Sequence, residues 1–462
     1  MNALNILTTR DNEKARRRLR LFFLLWFVVN YLQGVFSGLN EDEPYYYMYA
    51  MFPDWGYFDH PPMVGVFILT GISMFGKVLG MRFMSAVSST LFLMAVWRMI
   101  ENKDKYRYVN VFILLCLSVP MLSVYGFIIV PDAPLLFFTA LFLLAYKKFL
   151  NSRSVLTAML VGLLAALMMY SKYHGILVLF FVILADLKLF KDKYFYIAIV
   201  TALVVFSPHV WWQVENDFPS LKYHLVERSA KAYRLGYTLE YPLNQMAVFG
   251  PFLFPLMIAA VYKCKAKGVF ARTLKFLFWG FLAFFLLMTF KGHVEPHWTV
   301  AAIIPAVCFT FNYAVKSENV ARYFLIGGLA SAILLVTARV LLFIPSLPTP
   351  YHNQRQWADG IRTAAAGAPV VFRSSYQNTS MYIYYTGEPA WSFNAPGTRR
   401  NQYDYFPIKD SVTGRRVLYL DGKSDQVIIK AGDDIFRGRW IDDFRPDSCL
   451  SVENTAKDAG GI

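Results

Sequence analysis

Apolar residues occur in this chain in repeated blocks of about 20 residues, and this repetition limits the folds open to it. A block of about that length crosses the hydrocarbon core of a bilayer as one α-helix. Of the 462 residues, 56% are hydrophobic and only 17% are charged. A soluble domain usually carries about 25% charged residues. The sequence therefore predicts a polytopic, all-α membrane protein with about eleven transmembrane helices.

The predicted transmembrane helices are separated by short polar or charged segments. They cover residues 20–38, 81–100, 108–128, 133–150, 155–171, 175–190, 194–212, 243–263, 273–290, 297–315 and 322–345. The segment 62–77 is also apolar, but glycines interrupt it, and we interpret it as an interfacial helix.

The basic residues predict the orientation of the chain. A formal net charge of +15 first suggests nucleic-acid binding, but the positive charge is scattered in short clusters between apolar blocks. These clusters occupy alternate loops, at 103–107, 147–153, 188–193, 263–275 and 316–322. The positive-inside rule therefore places these loops and the N-terminus in the cytoplasm, and the other loops outside. We predict an integral protein of the bacterial inner membrane that binds no nucleic acid.

Two domains follow from the change in composition along the chain. Residues 1–345 form the predicted transmembrane domain, with long extracytoplasmic loops at 39–80 and 213–240. The tail, 346–462, is polar and predicts a small soluble extracytoplasmic α/β domain. Its strand-like runs are Pro369–Phe372, Val417–Leu420 and Gln426–Ile429.

The first outside loop carries an acidic motif. Asp42 and Glu43 stand directly before Pro44, which suits the first turn of a helix. Carboxylates at this position either cap the helix or, because the helix dipole favours their ionised form, act as a general base toward a hydroxyl. The residue pattern leaves both readings open.

The same loop continues with Asp59 and His60 before two prolines. This pair could bind a metal ion or a phosphate, or belong to an interfacial turn with an aromatic belt. In the next outside turn, Asp132 lies between two apolar helices. A charge there marks a functional site by default, although capping of the following helix is the simpler role.

Several cations lie in the remaining outside loops. Lys172 is the only lysine or arginine in its short outside turn, which suits a phosphate ligand or a lysine that extends to the interface. Arg228 belongs to the mixed, cation-rich loop 213–240, which could be a solvated face. One short turn contains Lys291, His293 and His297, an unusual density of titratable groups between membrane helices. All these candidates map to one side of the membrane.

Together these motifs resemble the C-type membrane glycosyltransferases, in particular the bacterial branch related to protein O-mannosyltransferases and the lipid A aminoarabinose transferase. The resemblance covers about residues 20–315. It rests on Asp42-Glu43 followed by tyrosines, Gly56-Tyr57-Phe58-Asp59-His60-Pro61-Pro62, Pro131-Asp132-Ala133-Pro134, Ser171-Lys172-Tyr173 and His297-Trp298. In the aminoarabinose branch the second motif carries Glu-Lys before the prolines, where this chain has Asp59-His60.

The resemblance implies a polyprenyl-phosphate sugar donor and transfer to a lipid A, polysaccharide or protein acceptor. It implies that Asp42 is the catalytic base, with Glu43 and Asp132 as further catalytic candidates. The predicted donor-phosphate ligands are Lys172, His60, His293, His297, Lys291 and Arg228. Because the second motif departs from the family pattern, the sequence assigns no certain cofactor. Whether Asp59 and His60 bind a divalent metal ion is left open.

Two other functions compete with glycosyl transfer. A glycolipid transporter or flippase would use intramembrane charges along its substrate path, commonly in broken helices or internal repeats. The sequence contains no internal repeat, and its candidate residues lie at helix ends on one side. A non-catalytic assembly partner that binds through the tail is the second competitor.

Overall fold

The computed structural model describes residues 2–224, 233–344, 354–395, 397–431 and 434–446. The chain divides into two compact units. The first unit comprises Met1–Phe36 and His60–Phe343, and the second comprises Ser37–Asp59 and Ile344–Ile462. The sequence prediction assigned the whole loop 39–80 to the transmembrane domain. The structure differs because the first part of this loop belongs to the second unit.

The described residues are mostly helical. The α-helices are α1 (Ala3–Leu7), α2 (Asn12–Phe36), α3 (Glu43–Met51), α4 (Met63–Gly80), α5 (Phe83–Met99), α6 (Val109–Ser118), α7 (Pro120–Val124), α8 (Asp132–Asn151), α9 (Val155–Ser171), α10 (Gly175–Ala185), α11 (Lys193–Glu215), α12 (Pro219–Lys222), α13 (Leu235–Phe249), α14 (Phe254–Lys263), α15 (Gly268–Met288), α16 (Ile303–Ala314), α17 (Glu318–Leu341), α18 (Gln354–Ala365) and α19 (Tyr376–Thr386). Short 3₁₀ helices occur at Leu187–Lys191, Pro296–Ala302, Gln402–Asp404 and Pro407–Ser411.

Helices of the first unit account for the apolar blocks. Within the described residues, six helices are long and apolar enough to cross a membrane: α2, α4, α8, α11, α15 and α17. The bent pair α13 and α14, whose axes differ by 91°, raises this number to seven if the pair forms one span. Each of the eleven predicted segments overlaps a helix, but the count of eleven is not confirmed because several of these helices are short.

Helix α4 corresponds to the segment that the sequence suggested as an interfacial helix. By length and composition it could cross a membrane. Its backbone leaves the helical conformation at Gly76, where φ is 74° and ψ is 173°. The stretch before Gly76 measures only about 20 Å at the helical rise, whereas the hydrocarbon core is about 30 Å thick.

Close contacts between small residues bring the membrane helices together. A Cβ atom on Gly162 of α9 would lie 2.3 Å from the carbonyl oxygen of Ala198 in α11, so only glycine permits this approach. Small residues at helix contacts are a common means of packing in membranes, where the hydrophobic effect contributes little between helices. Helix α9 also begins at a capping box, in which Ser154 and Thr157 satisfy each other's backbone N–H groups.

A five-stranded sheet forms the centre of the second unit. Its strands are β1 (Val370–Arg373), β2 (Ala390–Phe393), β3 (Val417–Leu420), β4 (Val427–Ala431) and β5 (Asp434–Ile441). The strand order is β2-β1-β3-β5-β4, with β1 parallel to β2 and β3, and β5 antiparallel to β3 and β4. This sheet and helices α18 and α19 confirm the predicted C-terminal α/β domain.

The loop before His60 is built into the second unit. The side chain of Gln354 binds the backbone of Leu39 in both directions, donating to its oxygen at 2.7 Å and accepting from its nitrogen at 3.2 Å. The Phe58 backbone nitrogen donates to the Gln402 side chain at 2.6 Å. The Tyr45 ring of α3 packs against Tyr376 of α19, with 4.5 Å between ring centroids. These contacts position the acidic motif relative to the sheet.

Candidate functional site

Asp42 lies immediately before α3, in the second unit. Its side chain forms no capping hydrogen bond to α3. Instead, its Oδ1 atom accepts hydrogen bonds from Tyr376 and Gln377 at the start of α19, both at 3.3 Å. Burial raises the pKa of the Asp42 carboxyl, and the hydrogen bonds from Gln377 and Tyr376 oppose that rise. Side chains from another helix therefore hold a carboxylate that is more basic than an ordinary aspartate.

Glu43 has a structural contact at the same helix start. It is fully buried, and its Oε2 atom accepts a hydrogen bond of 2.6 Å from the backbone nitrogen of Asn40. This contact matches the reach of an acidic side chain back to the backbone before a helix. Of the two adjacent carboxylates, Glu43 thus stabilises the turn while Asp42 is directed to α19. A catalytic role for Glu43 stays a prediction.

Asp59 completes what we call the carboxylate cluster, formed by Asp42, Tyr45, Asp59, Gln377 and Arg399. The Asp59 carboxylate forms an ion pair with Arg399 and accepts a hydrogen bond from the Tyr45 hydroxyl, through different oxygens. Both oxygens thus have protein partners. In the described residues, no group of three or more His, Cys, Asp or Glu side chains could hold a metal ion, and the divalent metal suggested at Asp59 and His60 stays a prediction.

A second cluster lies in the first unit and contains a buried ion pair. The Lys172 Nζ atom is 2.8 Å from each carboxylate oxygen of Asp132, and both side chains are about 5% exposed or less. His297 Nε2 lies 3.8 Å from the Asp132 carboxylate. Lys172 follows α9 and Asp132 begins α8, so two turns on the same side of the bundle meet here. Asp132 is therefore the counter-ion of Lys172.

Further histidines adjoin this ion pair. Burial lowers the pKa of His174 well below its usual value, and the neighbouring Lys172 lowers it further, so this imidazole is neutral at pH 7. His60 and His224 are also close enough to affect the charge of His174, and their own rings are 6.4 Å apart. We call Asp132, Lys172, His174, His297 and His60 the lysine–histidine cluster.

The loop after α11 is attached to the same turn. The Tyr173 hydroxyl lies 3.0 Å from His209 Nε2 and accepts a hydrogen bond of 3.1 Å from Gln213. Gln213 also donates to Ser220 at 2.8 Å. The network fixes the beginning of the 213–240 loop beside Lys172. It also brings His209, distant in sequence, near the cluster, and the His224 ring lies 5.6 Å from that of Tyr173.

Two of the predicted phosphate ligands, Lys291 and His293, form no described contact with this arrangement, and a third lies where the structure gives no description. His293 faces Glu295, with 3.6 Å between Nε2 and the carboxylate, and its ring packs against Tyr237. The side chain of Lys291 is exposed. Arg228 lies outside the described residues. The lysine–histidine cluster thus brings together His60, Lys172 and His297 of the six predicted ligands.

The residues of the tail that contact Asp42 or Asp59 carried no recognisable sequence signal. Tyr376, Gln377 and Arg399 are more than 300 positions away from Asp42 and belong to no motif in the tail. His174, in contrast, stands inside the Ser171–Gly175 turn and could have been singled out by its neighbour Lys172. Only the folded second unit connects the acidic motif to α19.

Known structures share this architecture. The crystal structure of ArnT from Cupriavidus metallidurans in the apo state matches with a TM-score of 0.66, covering 92% of this chain and 98% of that one at 13% sequence identity. This chain therefore has the fold of the C-type membrane glycosyltransferases. The same ArnT bound to undecaprenyl phosphate matches with a TM-score of 0.63 at 15% identity, covering 87% of this chain and 92% of that one. The predicted resemblance is therefore confirmed at the level of the fold.

Sequence comparisons agree with this C-type fold. Residues 59–212 match the family described as dolichyl-phosphate-mannose-protein mannosyltransferase. The lipid A galacturonosyltransferase RgtD of Rhizobium johnstonii is 27% identical over 430 residues, covering 87% of this chain and 90% of the relative. The archaeal oligosaccharyltransferase AglB from Archaeoglobus fulgidus, in complex with an inhibitory peptide and a dolichol-phosphate, has a TM-score of 0.52 at 13% identity, over 87% of this chain and 69% of that one. These relatives are named as glycosyltransferases, and this chain shares their sequence similarity or fold and is, by its several long apolar helices, an integral membrane protein.

Proposed function

We propose that this protein transfers a sugar from a polyprenyl-phosphate-linked donor to an acceptor on the extracytoplasmic side of the membrane. The observation that carries the proposal is the Asp42 carboxylate, which stands at a helix start but is held by Tyr376 and Gln377 instead of capping that helix. A carboxylate fixed in this way and made more basic by burial suits proton abstraction from a hydroxyl.

The proposed reaction is a single displacement at the anomeric carbon of the donor sugar. The acceptor hydroxyl oxygen forms the new bond to this carbon while Asp42 takes the hydroxyl proton. The bond between the anomeric carbon and the phosphate oxygen breaks, and the polyprenyl phosphate leaves with the electron pair. Because the nucleophile enters opposite the leaving group, the anomeric configuration inverts.

The leaving phosphate needs hydrogen-bond donors and positive charge in its vicinity. We assign this role to Lys172, His60 and His297 of the lysine–histidine cluster. The Lys172 ammonium directs two of its three N–H groups toward Asp132, which leaves one N–H for a phosphate oxygen. His174 is neutral and would contribute a hydrogen bond without a charge.

The relatives support the choice of substrates. A structure of the same fold binds undecaprenyl phosphate, which agrees with a polyprenyl-phosphate donor. RgtD, which matches most of this chain, is named for transfer to lipid A, so lipid A is the proposed acceptor. The transferred sugar belongs to the hexoses or pentoses.

Incubation of the purified protein with polyprenyl-phosphate sugars and lipid A tests the proposed reaction. We expect stoichiometric release of polyprenyl phosphate and a glycosylated lipid A whose anomeric configuration, read by NMR, is opposite to that of the donor. A flippase would move the intact donor across vesicles without releasing sugar. Retained configuration would contradict the single displacement even if transfer occurs.

We also propose that the N-terminus lies in the cytoplasm and that Asp42 faces the periplasm of the bacterial inner membrane. In a chain without its native cysteines, a cysteine at the exposed Trp55 should react with a membrane-impermeant maleimide in intact spheroplasts. A cysteine at Lys103, in a basic loop, should react only after permeabilisation. Equal labelling of both positions in intact spheroplasts would contradict this orientation.

The contact between Gln377 and Asp42 predicts a change in pH dependence. Asp42 acts as a base only when ionised, so activity rises with pH through the pKa of its carboxyl. The hydrogen bond from Gln377 lowers that pKa, and Gln377→Ala should therefore raise it. We expect the acidic limb of the kcat/KM profile to move to higher pH.

The neighbouring Asn378 supplies the control for this experiment. It lies on the same helix, and its side chain donates no hydrogen bond to Asp42. Asn378→Ala should leave the acidic limb in place. An unshifted limb in Gln377→Ala, at reduced activity, would mean that Gln377 stabilises the fold without setting the basicity of Asp42.

A further inference from the structure

A groove on the side of the first unit contains an arginine that forms no ion pair with any carboxylate in the part of the chain that the structure describes. The groove has a volume of about 570 Å³ and lies between α2, α6 and α17. Its walls are mostly apolar, and several of the lining side chains are about half exposed, including Leu25, Val29 and Val336. In a membrane, exposed apolar side chains of these helices face lipid, so the groove is open to the bilayer.

Arg339 lines this groove near the C-terminal end of α17. Its Nη2 atom donates to Asn30 at 3.0 Å and its Nη1 atom to Ser123 at 3.1 Å, while its Nε atom donates to Gln33. Its guanidinium also lies 4.9 Å from the ring centroid of Phe127. All these partners are neutral, and among the described residues no carboxylate forms an ion pair with Arg339.

An uncompensated positive charge between membrane helices is costly and is retained where it has a function. Asn30 and Gln33 are at most 3% exposed, so their side chains hold the guanidinium in a defined orientation beside the groove. A guanidinium is suited to phosphate because its planar N–H groups match two phosphate oxygens. The ligand that completes this site is therefore an anion that also carries an apolar chain.

The position of Arg339 along the helices fits a lipid head group. Arg339 is two positions from the end of α17, and its partner Gln33 is three positions from the end of α2, so both lie near the level where a span meets the interface. At its other end the groove reaches Arg18, about 22 Å further along α2 at the helical rise. One leaflet of hydrocarbon is about 15 Å thick, so the groove accommodates one acyl chain along its length.

We propose that this groove binds one anionic phospholipid of the surrounding bilayer, with its phosphate on Arg339 and one acyl chain between α2, α6 and α17. The site is separate from the lysine–histidine cluster proposed for the donor. An isoprenoid chain of the donor is longer than the groove, whereas a phospholipid chain matches it. Basic pockets between membrane helices are a recurrent means of binding lipid head groups.

Native mass spectrometry of the delipidated full-length protein tests this proposal. With phosphatidylglycerol and phosphatidylcholine of identical acyl chains, we expect one tightly bound phosphatidylglycerol per chain, at an affinity at least tenfold above that of phosphatidylcholine. Arg339→Gln should reduce phosphatidylglycerol binding to the level of phosphatidylcholine, whereas Arg339→Lys should retain part of the preference. The matched control is Arg322→Gln, because Arg322 is an exposed arginine on the same helix.

A second variant keeps the test decisive if Arg339→Gln does not fold. Val336→Trp fills the groove while leaving Arg339 and its partners in place, and it should displace the lipid. Three outcomes would overturn the proposal: equal binding of the two phospholipids to the wild type, full retention of phosphatidylglycerol by the folded variants, or its displacement by an equal concentration of decaprenyl phosphate.

Discussion

Asp42→Asn is expected to lower the rate of sugar transfer by about 10²–10⁴-fold, the usual contribution of a general base. Asparagine has nearly the same shape and can still accept the hydrogen bonds of Tyr376 and Gln377 through its amide oxygen. It cannot take up the hydroxyl proton. Transfer from a polyprenyl-phosphate sugar, measured with purified protein at saturating donor, reports the loss.

The neighbouring Glu41 provides the matched control for Asp42→Asn. It belongs to the same acidic loop but is exposed, and Glu41→Gln removes the same charge at nearly the same place. We expect this variant to keep most of the activity. Both variants should retain the thermal unfolding midpoint of the wild type. Full activity in Asp42→Asn would remove Asp42 from the reaction.

Lys172→Met is expected to destabilise the protein by about 3–5 kcal/mol, because it leaves the Asp132 carboxylate buried without its counter-ion. Both side chains of this pair are about 5% exposed or less, so solvent cannot compensate for the loss. The apparent thermal unfolding midpoint in detergent, compared between wild type and variant, measures this effect.

The double variant Asp132→Leu/Lys172→Met separates stability from function. Replacement of a buried ion pair by apolar residues of similar size is often neutral for stability. We expect the double variant to recover most of the unfolding midpoint and yet to bind the donor poorly, because the Lys172 ammonium is gone. Wild-type affinity for the donor in a folded double variant would show that Lys172 only supports the fold.

An exposed ion pair gives the reference for Lys172→Met. Lys222 is paired with Asp217, and their side chains are 55% and 86% exposed. Exposed pairs contribute about 0–1 kcal/mol, so Lys222→Met should leave the unfolding midpoint nearly unchanged. An equal loss of stability in Lys172→Met and Lys222→Met would mean that burial of the first pair does not matter.

Much of the fold could be predicted from local sequence. The strand-like run Val417–Leu420 is β3 in the structure, and the apolar block 155–171 coincides with α9. Hydrophobicity over a short window determines both, because an isolated apolar stretch has few alternatives to a membrane helix or a buried strand. The number of membrane spans was harder to predict from the sequence, since kinks such as that at Gly76 depend on the backbone conformation of a single residue.

The candidate site residues could likewise be predicted from the sequence only in part. A search for charged and histidine residues in the turns between apolar blocks was enough to select Asp132, Lys172 and His297, which the structure brings together. That Asp132 neutralises Lys172 could not be read from the sequence. The two residues are 40 positions apart, and their pairing requires the packed arrangement of α8 and α9.

By itself, the sequence determined that the chain lies in a membrane, that its tail forms a separate α/β unit, and that its titratable turn residues recur in alternate loops. These properties follow from residue type and spacing, which act locally. Only the tertiary structure decided that the acidic motif belongs to the same unit as the tail and that Gln377 and Tyr376 hold Asp42. Contacts over more than 300 positions depend on how the two segments pack, and no local pattern encodes such packing.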